Sequence, residues 1–238
     1  MKNKVYIFAL MFVLLLSFAA AQAEPGYNGQ IELIAANSDL WKQDVEYNTW
    51  GYVITDMDQN NRLEILSCSV QGTGFYSYIK AYEVNEDGTS LKNLMEKLEE
   101  RTDSSPDIMV TSVPVYSDTK TGRLFYIFDD MIRNGMAEYY ENKRAVTLND
   151  GLWEETPLAH KTTIYTDADH AEITYTDGSG NAISETQYAS IADIVFAGME
   201  PGKACLNWIT TDNEDFAALS NAQLIENLNS SAQSTCPD

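Results

Sequence analysis

Short apolar runs of strand length, separated by Gly, Asn and Asp, set the reading of this chain. Residues 50–55 alternate in the strand manner, a polar stretch follows at 56–62, and residues 63–70 resume as a strand. Gly72-Thr73-Gly74 breaks the chain before a third aromatic-rich run at 75–84, which stops at the turn signal Asn85-Glu86-Asp87-Gly88. A β-branched run at 108–116 carries Pro114, which predicts an edge strand, and residues 124–128 have a buried-strand pattern ending at Asp129-Asp130. Sheet-like sequence continues over 137–148, 152–166 and 171–176, and a last strand is predicted over 204–210.

Helical spacing is rarer. Ile31, Ile34, Ala35 and Leu40 give a weak helical pattern over 30–40. Leu91, Leu94, Met95 and Leu98 fall on one helical face, with Ser90 as N-cap and the pairs Lys92/Glu96 and Lys97/Arg101 beside it, so a helix is predicted there. Ser184-Glu185-Thr186-Gln187 reads as a capping box opening a helix whose apolar face is Tyr188, Ile191, Ala192, Val195 and Phe196. Ser220 caps a final helix with Leu224, Ile225 and Leu228 on one face. Roughly eight strands and three helices predict an α+β fold, a mainly antiparallel β-sheet with a few helices including a C-terminal one. The expected organisation is a single β-rich domain over 24–229, with a possible subdivision near 132–137, followed by a polar tail at 230–238. No long repeat is visible, which argues against a complete propeller.

The first 23 residues read as an export signal: Lys2 and Lys4, an apolar core, and the cleavage site Ala21-Gln22-Ala23 before Glu24. The expectation is a secreted or periplasmic protein with no membrane insertion after signal cleavage. Losing Lys2 and Lys4 takes the formal charge from -21 to -23. So acidic a surface repels phosphate backbones and anionic headgroups, which excludes nucleic acid as a partner. Of the three cysteines, Cys205 is predicted to pair with Cys236 across the last strand and the tail, leaving Cys68 reduced and buried; counting alone allows two other pairings.

One stretch carries specific chemistry. In residues 56–64, Asp56, Asp58, Asn60 and Glu64 stand at positions 1, 3, 5 and 9, with Arg62 at position 7 offering its backbone carbonyl. Such spacing curls a loop around a hard, oxygen-seeking cation, and calcium accepts its loose geometry. The stretch and its flanking strands resemble the D-x-D-x-[DN]-G-x-x-[DE] calcium loop of FG-GAP and VCBS type, found in integrin-like propeller blades and in exported bacterial proteins of unassigned activity. By position, the resemblance implies side-chain ligands at Asp56, Asp58 and Asn60, a carbonyl ligand at Arg62 and a carboxylate ligand at Glu64. Asn61 stands where the pattern has glycine, and asparagine tolerates positive φ best among the alternatives. Ser67 at position 12 rules out an EF-hand. The competing reading is a polar hairpin turn whose Asp and Asn side chains cap their own backbone.

Other candidates have stronger structural explanations. Asp177, Ser179, Asn181 and Glu185 repeat the spacing, within ordinary turn and capping chemistry. His170 lies near Asp167 and Asp169, while His160 sits in strand-like sequence. The carboxylate pairs Asp129/Asp130, Glu154/Glu155 and Asp212/Glu214/Asp215 leave a glycoside hydrolase open, and Trp41, Trp153 and nearby tyrosines leave open a carbohydrate-binding module, which requires them exposed on one face. The favoured expectation is an exported non-catalytic domain, calcium-stabilised, with a binding or structural role toward a protein or polysaccharide at the cell exterior.

Overall fold

The computed structural model describes residues 26–45, 49–98, 104–149, 151–167 and 170–232, which build two antiparallel sheets. The signal segment and the tail cysteine Cys236 lie outside the described residues. Helices α1 (Tyr27–Ala36) and α2 (Ser38–Trp41) precede strands β1 (Trp50–Thr55), β2 (Glu64–Gln71), β3 (Tyr76–Val84) and β4 (Leu91–Asn93). Strands β5 (Ser112–Ser117), β6 (Leu124–Asn134), β7 (Glu138–Leu148), β8 (Trp153–Tyr165) and β9 (Ala171–Asp177) follow. The described residues close with α3 (Glu185–Ala189), α4 (Ile191–Val195), β10 (Glu200–Cys205), β11 (Ile209–Thr211), α5 (Asn213–Ala218) and α6 (Asn221–Ala232). The sheets run β11-β1-β2-β3-β4 and β10-β5-β6-β7-β8-β9, so the α+β fold with a mainly antiparallel sheet and a C-terminal helix is as the sequence predicts.

Both faces of the first sheet are covered, which is why β1 and β2 read as almost continuous apolar runs. Val53, Leu66, Cys68 and Ala81 pack against Val113, Tyr126, Phe128 and Val146 of the second sheet. Trp50, Tyr52, Ile54 and Ile65 turn the other way, onto Trp41, Ile31 and Ile34 and onto Leu224 and Leu228 of α6. Tyr116, Ala145 and Ala159 on the far face of the second sheet meet Ile191 and Phe196. The layers are therefore helix, sheet, sheet, helix. Glu64 shares the face of Leu66 and Cys68, and its in-register neighbour Glu83 shares that of Ala81, so both carboxylates point into the space between the sheets.

Four local expectations need correction. The helix over 91–98 is instead β4 followed by a 3-10 turn at Glu96–Leu98. Leu94 N–H donates to the Ala81 carbonyl at 2.9 Å and its carbonyl accepts from Trp153 N–H at 2.9 Å, so the backbone at Leu94 ties the two sheets together. That tie, with Leu94 and Met95 buried, outweighs helical propensity. The strand at Pro114 is no edge, since β10 and β6 flank it; pairing with β6 begins only at Val115, so Pro114 removes no bond on that side. The strand over 204–210 is split between sheets, because the chain bends where Leu206 is buried and Trp208 Nε1 donates to the Val110 carbonyl at 3.1 Å. The capping box of Ser184 and Gln187 forms, but Ser190 separates α3 from α4. Helix α5, capped by Asp212, has no counterpart among the expected elements.

Candidate metal centre

The loop from β1 to β2 takes its shape from side chains folding back on its backbone. Asp56 Oδ1 accepts from Asn60 N–H at 3.0 Å and Asp56 Oδ2 from Asn61 N–H at 3.1 Å, while Asp58 Oδ1 accepts from Asn60 N–H at 3.3 Å. Two backbone positions are left-handed, Gln59 at φ 59° and Asn61 at φ 67°. Asn61 thus adopts the conformation for which the calcium-loop pattern has glycine.

From α1, Gln30 clamps the loop's exit: its Oε1 accepts from Leu63 N–H at 2.7 Å and its Nε2 donates to the Asn61 carbonyl at 3.0 Å. From the second sheet, the Tyr126 phenol donates to the Met57 carbonyl at 2.8 Å. The loop is held by one helix and both sheets.

Asp56, Asp58 and Glu64 each offer a carboxylate oxygen, and these three atoms lie within 4.8 Å of one another. Asp56 and Asp58 are half-buried and Glu64 is fully buried. Glu64 Oε2 accepts from Met57 N–H at 2.7 Å, whereas Oε1 has no hydrogen-bond partner among the described residues. A buried carboxylate oxygen without a donor is costly. Burial holds the Glu64 carboxyl well above the usual range, and the charges of Asp58, Asp56 and Glu83 add to this. Asp56 and Asp58 are also raised, again mainly by burial, with Glu83 adding to Asp56 and Asp56 adding to Asp58.

The side chains of Asn60 and Arg62 have partners of their own. Asn60 Nδ2 donates to Asp58 Oδ2 at 2.9 Å and to Glu83 Oε1 at 2.6 Å, while its Oδ1 accepts from Arg62 N–H at 2.7 Å. The amide N–H group therefore supplies Asp58 with the positive character that a cation would bring. The Arg62 guanidinium pairs with Glu83 at 3.0 Å. Glu83, Gln30 and Tyr126 escaped the sequence reading. Glu83 was recoverable only by aligning β3 on β2 about the Gly72-Thr73-Gly74 break, which sets it opposite Glu64. A polar cleft of about 770 Å³ opens beside the loop, lined by Asp58, Arg62, Glu83 and Lys92 among others.

The donor set is all oxygen and carries an orphaned buried carboxylate atom, so the residues present fit a hard cation such as calcium. The Asp177 turn is different. Asp177 Oδ1 accepts from Ser179 and Asn181 N–H at 2.9 Å each, and Asn181 Nδ2 holds its carboxyl below the usual range. That is self-capping turn chemistry.

The remaining candidates have structural partners. His170 meets Asp167 at the surface, and His160 Nδ1 lies 2.7 Å from Asn142 Oδ1. Asp129 pairs with Lys143, Asp130 and Glu155 flank the buried Arg144, Glu154 pairs with Arg123, and Asp212 caps α5. Trp41 and Trp153 do not form an exposed platform: they are 0% and 2% exposed, because α2 and β8 turn both rings into the core.

No family model and no curated protein matches the chain. Among solved structures, a protein titled "Structure of a Xanthomonas Type IV Secretion System related protein" aligns with 12% identity and a TM-score of 0.32, covering 60% of this chain and 61% of that one. A likeness at that level carries no argument about function.

Proposed function

We propose that this chain is an exported, non-catalytic domain whose 56–64 loop binds calcium, with a binding or structural role at the cell exterior. The observation that carries this reading is the convergence of Asp56, Asp58 and Glu64 around a fully buried, unpartnered Glu64 Oε1. Asp56, Asp58 and Glu64 hold the ion, and the loop's ties to α1 and to Tyr126 pass its stabilisation to both sheets. The involvement of the other paired carboxylates in ion pairs and caps supports a non-catalytic role. An affinity on the order of 0.1 to 1 mM matches extracellular calcium modules.

Thermal melts in chelator, in millimolar calcium and in millimolar magnesium test the reading. At tenfold excess over the dissociation constant, calcium adds about 1.4 kcal/mol, a rise of several degrees at most. Magnesium does less, because it demands tighter octahedral geometry. Superimposable melts in chelator and calcium leave the loop a polar hairpin turn.

A further inference from the structure

The second sheet ends in two edges of unlike character. On one side β10 carries Pro201 and Lys203, two residues that discourage further pairing. The edges of the first sheet, β4 and β11, are three residues each. On the far side of the second sheet, β9 runs seven residues, AEITYTD, with neither proline nor a basic residue. Its β-branched and aromatic content suits pairing, and only the acidic residues Glu172 and, at its far end, Asp177 oppose it.

The direction of its backbone groups follows from a single bond. Ile183 N–H donates to the Tyr175 carbonyl at 3.0 Å from the side away from β8. In an antiparallel strand alternate residues point their N–H and C=O to the same side, so those of Ala171 and Ile173 also point outward while Glu172 and Thr174 bond to β8. Residues 181–183 cover β9 only from Tyr175 on, through that bond and the Thr176 to Ala182 bridge. From Ala171 to Thr174 every residue is exposed. Ile173 is 47% and its neighbour Tyr165 46% exposed, on the face where Tyr165 meets Tyr139. Glu172 lies on the opposite face.

We infer that the outer edge of β9, residues 171–174, binds an extended segment of a partner protein by antiparallel strand addition, with apolar and basic side chains alternating in that segment. The apolar side chains lie on the face of Ile173 and Tyr165, and the basic ones on the face of Glu172. A second copy of this chain fits poorly, because each copy brings a formal charge of -21. The edge lies in the second sheet, apart from the metal loop, and its binding does not depend on the ion.

The probe is an acetylated, fluorescein-labelled peptide of alternating lysine and valine, followed by fluorescence anisotropy on the full chain in chelator and in calcium. The residue opposite Ile173 shares its apolar face and exchanges both backbone bonds with it. N-methylation of the valine amides is therefore expected to weaken binding at least about tenfold, and N-methylation of the lysine amides to leave it within about threefold. Of the backbone hydrogen-bonding groups, Ile173→Pro removes only an outward N–H and keeps the β8 ladder; with the isoleucine side chain also gone from the apolar face, it loses binding by at least about tenfold. Glu172→Lys weakens the lysine peptide and improves an alternating glutamate and valine peptide. Equal binding of both methylated peptides overturns strand addition in favour of plain charge attraction. Unchanged binding by Ile173→Pro, or a dimer in sedimentation that this substitution abolishes, overturns the assignment of edge or occupant. Failure of the calcium melts leaves these outcomes unaffected.

Discussion

The Tyr126 phenol, rooted in the second sheet, donates a 2.8 Å hydrogen bond to the Met57 carbonyl in the loop of the first. Both residues are buried, with Met57 1% exposed, so no water replaces the bond if it is lost. Glu64, Asp56 and Asp58 lie close enough that their charge, after burial itself, pushes the phenol's pKa up and keeps it a donor. Tyr126→Phe therefore leaves a buried carbonyl unpaired and is expected to cost about 1–3 kcal/mol, read from urea unfolding midpoints at unchanged m.

Glu64 sets a pH dependence of definite sign. Its folded carboxyl holds a proton to higher pH than the unfolded one, because burial and the neighbouring carboxylates penalise the charge. The stability associated with that proton is complete below the ordinary glutamate range and is lost as pH rises through the folded pKa. Glu64→Gln removes the Glu64 share of the dependence and leaves that of Asp56 and Asp58. In chelator at about pH 7 the variant is expected to be the more stable of the two, with the gap closing toward about pH 4. A constant gap between the two in urea titrations across that range refutes this account.

The strands were legible because burial on two faces leaves long apolar runs: Trp50–Thr55 forms as β1 over the span the sequence predicts. The weak spacing of Ile31, Ile34 and Ala35 also marked a real helix, since all three are buried, but that helix ends at Ala36, and Leu40, read with them, lies exposed in α2. Leu91 to Leu98 misled because a strand, a turn and a 3-10 turn can bury the same positions that one helix face buries. The acidic triad was legible because its members are local in sequence. Glu83, Gln30 and Tyr126 were not, because their roles depend on strand register and on the packing of distant elements, which spacing along the chain does not encode.

Tryptophan accessibility separates core from surface. Trp41, Trp50 and Trp153 are at most 2% exposed, while Trp208 is only partly buried. Acrylamide quenching of the native protein is expected to reach Trp208 and to spare the other three until unfolding. Removing the Trp41 ring costs about 3–5 kcal/mol as Trp41→Ala, since it packs on Trp50, Tyr52 and Phe216. Rapid quenching of Trp41 or Trp153 in the folded chain refutes their placement.

Cys68 is free and buried at the sheet interface, and burial raises its thiol pKa, so it does not react as a thiolate in the folded protein. Cys205 is disulfide-bonded; its expected partner Cys236 lies outside the described residues. Thiol titration without reductant is expected to find none in the native chain and one after denaturation. Three thiols after denaturation refute the bond at Cys205.

Asn61 isolates the backbone's part in the metal loop. Its φ of 67° is pinned from both sides, by its N–H on Asp56 Oδ2 and its carbonyl under Gln30 Nε2, so the residue cannot relax into an ordinary conformation without releasing one of them. Its side chain is exposed. Asn61→Gly relieves the residual left-handed cost but loosens the unfolded chain by about 0.4–1 kcal/mol, so the two effects nearly cancel and stability changes little. Asn61→Val brings a β-branched side chain into that conformation and is expected to cost at least about 1–2 kcal/mol. In calcium the glycine variant keeps the full rise in melting temperature, whereas the valine variant keeps less of it, because distorting the turn moves Asp56 away from Asp58 and Glu64. Paired melts of both variants in chelator and in calcium decide it. A valine variant as stable as the natural chain, with its calcium response intact, means that the backbone at Asn61 does not hold the carboxylates together.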